Sequence, residues 1–182
     1  MRRLVVVVEP DGDLVEQAVA AAGESIDRAA MSAGGQRTDG DVGSVATMFA
    51  LRRVVFVTEQ GVDRSIEWDG LDEEATHFLA LDGNRPVGTA RLRWVDDETA
   101  KCERVAVQAA DRNTGWGGWL MGAVHDHAAA VGATRCVLHA QQAALEFYRK
   151  QGYRPVGEPF SEAGIPHRKM VRTFDEGAAE PT

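Results

Sequence analysis

Two cysteines are all the thiol chemistry in 182 residues. Cys102 and Cys136 each lie inside an apolar run that reads as a strand. The expectation is therefore two separate buried thiols in a reducing compartment, not a disulfide or a metal site. Long apolar runs are also missing, and no segment approaches the ~20 apolar residues of a membrane span. The N-terminal "RRLVVVV" is too short for a signal-peptide core and is cut off by "EPDGD". A soluble, cytoplasmic protein without a membrane partner is expected. Basic charge is the minority: 20 Lys and Arg face 28 Asp and Glu, for a net charge of −8. That argues against nucleic acid as the main partner, since phosphate neutralisation needs clustered Lys and Arg. It leaves room for a local basic pocket around a small anion. Metal-ligand clusters are absent too. His125 and His127 are two apart on a predicted helix and cannot share a face, so no metal is expected.

What is present is ordinary globular material, 44% hydrophobic and 26% charged, in a length suited to one domain. The chain reads as a single domain over 1–173, with a flexible Gly/Ser/Asp-rich loop at 32–44 and a disordered tail at 174–182. No internal repeat is evident. Residues 3–8 form a β-branched first strand, and 13–31 have helical periodicity. A helix capped by Ser44 runs through Met48, Leu51, Arg52 and Val55 and ends in "VVFVTEQG". "HFLAL", "VGTARLRW" and "KCERVAVQ" read as three antiparallel strands joined by "DGNRP" and "VDDETA". A helix follows over 115–131, with Leu120, Met121, Val124, Ala128 and Val131 on one face. "TRCVLHA" is a strand, "AALEFYRKQGY" a short helix stopped at Gly152, and "RPVGEPF" with "HRKMVRTF" a closing pair of strands.

The stretch "DRNTGWGGWL" (111–120) crowds Gly115, Gly117 and Gly118 into the start of a helix, where each glycine costs about 1 kcal/mol relative to alanine. A helix N-terminus offers unpaired N–H groups and a positive dipole end, and glycines let an anion approach them. Arg112 adds a guanidinium suited to phosphate. A pyrophosphate site and a ligand-free tight turn both fit. No lysine follows the glycines, so this is not a Walker loop, and Leu120 breaks the dinucleotide pattern G-x-G-x-x-G.

The motifs together resemble the GNAT superfamily of acyl-CoA-dependent N-acyltransferases. The superfamily's R/Q-x-x-G-x-G/A pattern is matched by Arg112, Gly115 and Gly117. Its A-x-x-F-Y-x-x-x-G-Y/F pattern is matched by Ala144, Phe147, Tyr148, Gly152 and Tyr153 in "ALEFYRKQGY". "LRRVVFVTEQGV", "WDGLDEEATHFLAL", "RVAV", "HAQ" and "EAGIPHRKM" are similar to the ElaA-like branch, so the resemblance covers about 45–173. Asn113 and Thr114 depart from the small and basic residues usual in the loop. Trp116 is bulkier than the usual aliphatic residue, and it and Trp119 read mainly as packing residues. The resemblance implies an α/β fold: a GNAT-like mixed, largely antiparallel sheet flanked by helices.

It also implies an acetyl-CoA-dependent N-acetyltransferase that needs no metal. Acetyl-CoA would be the co-substrate and a small-molecule or peptide amine the acceptor, attacking directly through a tetrahedral intermediate. A homodimer is left open. Cofactor contacts would fall on Val105, Ala106, Val107, Arg112, Asn113, Thr114, Gly115, Trp116, Gly117, Gly118, Gln141 and Tyr148. Glu103, with Glu59 second, would be the base and Tyr148 would face the leaving sulfur. Glu59, Gln60, Asp69, His77 and His167 would lie toward the acceptor. A non-catalytic acyl-CoA sensor and a transferase of a longer acyl chain are the alternatives.

Overall fold

The computed structural model describes residues 3–10, 15 and 42–174. The expected helix at 13–31 apart from Val15, nearly all of the loop at 32–44 and the tail from 175 onward lie outside the described residues. Strands are β1 (Arg3–Val8), β2 (Thr76–Asp82), β3 (Arg85–Trp94), β4 (Thr99–Val107), β5 (Arg135–Gln141), β6 (Arg154–Pro155), β7 (Phe160–Glu162) and β8 (Ile165–Thr173). Helices are α1 (Val42–Arg52), α2 (Arg64–Glu67), α3 (Trp116–Ala130) and α4 (Leu145–Lys150). The strands form one sheet in the order β1-β2-β3-β4-β5-β8-β6, with β7 also on β8. Every pairing is antiparallel except β4 with β5. That exception follows from the crossover through α3, because only a connection of such length returns a strand in parallel.

Helices cover both faces, which explains why β2 is buried almost end to end. Alternation sends Phe78 and Ala80 to one side, where Trp116, Leu120, Met121, Val124 and Ala128 of α3 pack. Leu79 and Leu81 face the other side, against Val45, Met48, Phe49 and Leu51 of α1 and Val6 and Val8 of β1. Each fully buried large apolar side chain contributes roughly 1.5–3 kcal/mol. Cys102 and Cys136 are both free and buried in the first of these cores, as their apolar context implied.

Three details differ from the sequence reading. Helix α1 is already under way at Val42, so Ser44 lies inside it and is not its cap. "RVVFVTE" continues as a π-helix over Arg53–Glu59 instead of ending the helix. Such wider turns are frequent at functional sites. Residues 154–160 are not one strand: β6 and β7 are short separate pieces, each paired with β8.

Candidate active site

Strands β4 and β5 are paired only from Thr99↔Arg135 to Lys101↔Val137, after which they part. On its other side β4 carries an extra residue. Thr89 to Arg91 on β3 spans two steps, while Ala106 to Glu103 on β4 spans three. The surplus is taken up at Arg104, whose φ of 52° is left-handed for a non-glycine residue. Gly88, in register with Val107, leaves no room for a Cβ, which would lie 2.8 Å from the Ala106 carbonyl oxygen. The result is a wedge whose β4 wall presents backbone groups that β5 does not pair. A cavity of about 260 Å³ fills it, lined among others by Gln60, Val105, Arg112, His139, Gln141 and Tyr148.

The glycine-rich loop closes one end of the wedge. Asn113 (φ 63°) and Gly115 (φ 89°) turn the chain, and Gly115 is the residue before the first turn of α3. The first helical bond is donated by Trp119 N–H to the Gly115 carbonyl at 3.1 Å, so the amides of Trp116, Gly117 and Gly118 lie outside the helical ladder. The Thr114 hydroxyl donates to the Asp111 carbonyl at 2.5 Å, and Arg85 holds the Asp111 carboxylate at 2.7 and 2.8 Å. Gly117 and Gly118 have a second reason to be glycine. A Cβ at 117 would lie 3.2 Å from the Phe147 ring, and one at 118 would lie 3.3 Å from the Gln151 side chain. The glycines thus serve both a bare helix N-terminus and the close approach of α3 to the α4 segment. Trp116 is buried, with Trp119 edge-on at 5.5 Å and the Arg3 guanidinium over its ring at 4.7 Å. Arg112 donates to the Val107 carbonyl at 3.0 Å and to Glu59 at 2.5 Å.

The carboxylates behave differently from expectation. Glu103 lines the cavity, but Arg91, Arg93 and Lys101 each reach it at 2.8 Å. Burial alone would raise its pKa, yet these three cations hold the carboxyl far below the usual carboxylate range. A carboxylate stabilised so strongly as an anion is a poor proton acceptor, which counts against Glu103 as the base. Glu59 is paired with Arg112 beside the glycine-rich loop.

Gln60 lines the cavity and accepts from Gln141 at 2.8 Å, and His167 lines it as well. Asp69 and His77 do not line it. Despite partial burial, Asp69 is held at a pKa of about 2 by Arg91 at 2.7 Å, with Arg104 adding its charge. His77 is fully buried on β2, with its Nε2 against the Asp72 carbonyl at 3.0 Å, and burial lowers its pKa.

Sequence reasoning missed the network that accounts for this. Arg52 and Arg91, both buried, bind Glu67, Asp69, Asp72 and Glu103. Arg104 reaches from the bulge to Glu67 at 2.9 Å and Asp69 at 3.1 Å. The network ties residues 63–72 to β3 and β4 and fixes one wall of the wedge. It also missed His139, whose Nδ1 meets Glu162 at 2.7 Å, both in the cavity wall. Strand alternation was the available signal, since it puts His139 on the face shared with Gln141.

Tyr148 of α4 points into the wedge beside Cys102 and Val105. Its ring is fixed edge-on by Phe147 at 4.9 Å and Tyr153 at 5.8 Å. Burial, with the neighbouring Cys102, pushes its pKa up, so the phenol stays protonated and can donate. Among the described residues no group of three or more His, Cys, Asp or Glu is arranged to hold a metal ion, and no helix is long and apolar enough to cross a membrane.

A parted parallel pair, a bulged strand, a bare helix N-terminus and a phenol at the apex are together a specific arrangement, and comparison with known proteins agrees. Residues 49–174 match the family model described as an acetyltransferase (GNAT) domain. YjcF of Bacillus subtilis, named an uncharacterized N-acetyltransferase, is 42% identical over 125 residues, covering 68% of this chain and 89% of its own. ElaA of Escherichia coli is 34% identical over 136 residues, or 71% of this chain and 89% of ElaA. The ElaA crystal structure superposes with a TM-score of 0.63 at 32% identity over 71% of this chain and 91% of that one. A candidate N-acetyltransferase structure from Lactobacillus plantarum shares the fold at a TM-score of 0.70 and 24% identity, covering 95% of this chain and 99% of the other. The chain belongs to the GNAT acetyltransferases, in their ElaA-like branch.

Proposed function

We propose that the protein transfers the acetyl group of acetyl-CoA to a primary amine by direct attack. The observation that carries the proposal is the wedge itself, with a β4 edge that β5 leaves unpaired beyond Lys101, the loop 111–118 at one end and the protonated Tyr148 facing in. The pyrophosphate would meet the amides of Trp116, Gly117 and Gly118 and the Arg112 guanidinium. Gln141 would contact the pantetheine arm.

An amine in reach of the thioester attacks its carbonyl carbon, and the oxyanion that forms needs pre-aimed donors. The β4 amides around Val105–Val107 are the available ones and are worth a few kcal/mol. As the C–S bond breaks, Tyr148 donates to the departing thiolate. The amine itself arrives protonated, because an alkyl ammonium titrates near ~10.4. One of the two protons it sheds ends on the sulfur and the other in solvent.

Two measurements test the proposal. Thermal unfolding with and without acetyl-CoA is compared for the parent and for Gly117→Glu, which adds bulk and negative charge at the loop. At about 100 times its dissociation constant the ligand should add roughly 2.7 kcal/mol of stability to the parent and none to the variant. Thiol release is then followed across a panel of polyamines, amino-acid-like amines and peptides. An acyl-CoA sensor would bind without releasing CoA, and a longer-chain enzyme would release it faster from longer acyl donors. Absence of any shift at saturating acetyl-CoA would end the reading.

A further inference from the structure

The acceptor amine must lose a proton before it attacks, and the cleft holds a pair of residues suited to taking it. His139 on β5 and Glu162 on β7 meet at 2.7 Å through Nδ1 and Oε2. An ionised carboxylate only accepts, so Nδ1 carries the hydrogen and the neutral ring keeps its lone pair on Nε2. The Phe160 ring stands edge-on to His139 at 4.8 Å and restricts its rotation. Glu162 differs from the other carboxylates of the cleft. Glu103 is bound by Arg91, Arg93 and Lys101, and Glu67 by Arg52 and Arg104, whereas among the described residues Glu162 pairs with His139 alone. The β7–β8 turn fixes its place, with Ala163 (φ 52°) and Gly164 (φ 75°) closing the Glu162↔Ile165 pair.

We propose that His139 is the general base that deprotonates the acceptor ammonium, and that Glu162 is its positioning residue; this rests on the transferase reading above. His139 Nε2 takes one proton from the ammonium and passes it to solvent. The freed nitrogen lone pair forms the C–N bond, the C–S bond breaks as Tyr148 gives its proton to the departing sulfur, and the second nitrogen proton, lost to solvent, is matched by one that solvent returns to the phenolate. Glu162 of β7 meets the ring and Lys169 of β8 is its cross-strand partner, while the other charged and titratable groups that share the cavity wall with it are Glu67 of α2, Lys101, Glu103 and Arg104 of β4, Arg112 of the glycine loop, Tyr148 of α4 and His167 of β8. His167 donates its own Nδ1–H to the Ile165 carbonyl at 2.8 Å, which leaves it a hydrogen-bond partner for the acceptor without a carboxylate behind it.

The test compares the parent, His139→Gln and Glu162→Gln with an amine that the parent acetylates, measuring kcat and KM across pH 5–9. Melting temperature and acetyl-CoA binding are recorded alongside. His139→Gln should lower kcat about 100-fold or more at neutral pH, the usual range for a lost general base, and abolish the acid limb of the profile. Acetyl-CoA binding should stay within twofold. Glu162→Gln should move that limb to lower pH, since an amide no longer stabilises the imidazolium, an effect that a merely structural role would not produce. Turnover by folded His139→Gln within threefold of the parent, with the acid limb intact, overturns the proposal and leaves the transferase reading standing. A parent that binds acetyl-CoA yet acetylates none of the amines overturns both.

Discussion

Arg112 and Glu59 meet at 2.5 Å although 53 positions separate them in sequence, joining the glycine-rich loop to the end of the π-helix. Gln60, the next residue, bonds Gln141 on the other arm of the wedge. Residues 59 and 60 therefore bridge the cleft from β5 to the loop before α3. A pyrophosphate bound at that loop would compete with Glu59 for the Arg112 guanidinium.

Glu59→Gln should accordingly tighten acetyl-CoA binding. Both partners are partly exposed, 42% and 31%, so the released interaction is a screened one worth at most about 1 kcal/mol. The expected decrease in Kd is about two- to fivefold by titration calorimetry, shrinking as salt is raised. Unchanged or weaker binding would mean that the phosphates do not use this face of Arg112.

Tyr148→Phe isolates the phenolic hydroxyl, because the ring contacts to Phe147 and Tyr153 survive the substitution. If the hydroxyl assists the leaving sulfur, kcat should fall 10- to 100-fold while KM for acetyl-CoA and the melting temperature stay near the parent values. Thiol release under saturating acceptor reads this directly. An equal fall in binding would recast the hydroxyl as a ground-state contact.

Period and punctuation carried much of the fold. The strands read as "HFLAL", "VGTARLRW" and "KCERVAVQ" are the centre of the sheet, and the glycine cluster does open α3. The π-helix at Arg53–Glu59 was not legible, because its apolar spacing differs from an α-helix by only a fraction of a residue per turn over two turns. Nor was the fate of the carboxylates. Glu103 is neutralised by Arg91 and Arg93 from the neighbouring strand, and Glu67 by Arg52, 15 residues away, pairings that leave no local pattern. The left-handed Arg104 is equally silent in sequence, since nothing about arginine invites φ of 52°. The register of β3 and β4 and the partners on Asp69 and Glu67 impose it. His139, inside an apolar strand, shows its chemistry only once β7 brings Glu162 beside it.

The β7–β8 turn offers a gain in stability. Ala163 has a φ of 52° and is followed by Gly164 at 75°, so both central residues of a two-residue hairpin loop are left-handed. Asparagine followed by glycine is the preferred pair for such a turn, and alanine there is strained by around 1 kcal/mol. Ala163→Asn should raise the melting temperature by about 1–3 °C in calorimetry, by the usual scaling for a domain of this size. The Glu162↔Ile165 pairing is kept. A fall in melting temperature would indicate that the alanine conformation is imposed by packing outside the turn.

His125 supplies a pH dependence of stability separate from the cleft. Its Nδ1 accepts from Arg172 at 2.8 Å, so Nε2 carries the hydrogen and donates to the Tyr153 hydroxyl at 3.0 Å. Burial first, and the Arg172 charge second, lower its pKa from 6.5 to about 4. In the unfolded chain the imidazole takes up a proton near pH 6.5, while in the folded chain it resists down to about pH 4. The unfolded state therefore binds more protons in that window, and stability is lost as pH falls through it. At pH 4.5 the loss is about 2–3 kcal/mol relative to pH 7.5. His125→Gln preserves an acceptor for Arg172 and a donor for Tyr153 with nothing to titrate. Denaturant midpoints at pH 7.5 and 4.5 should therefore fall further for the parent than for the variant. An equal fall in both would place the acid sensitivity in the carboxylate network around Arg91 instead.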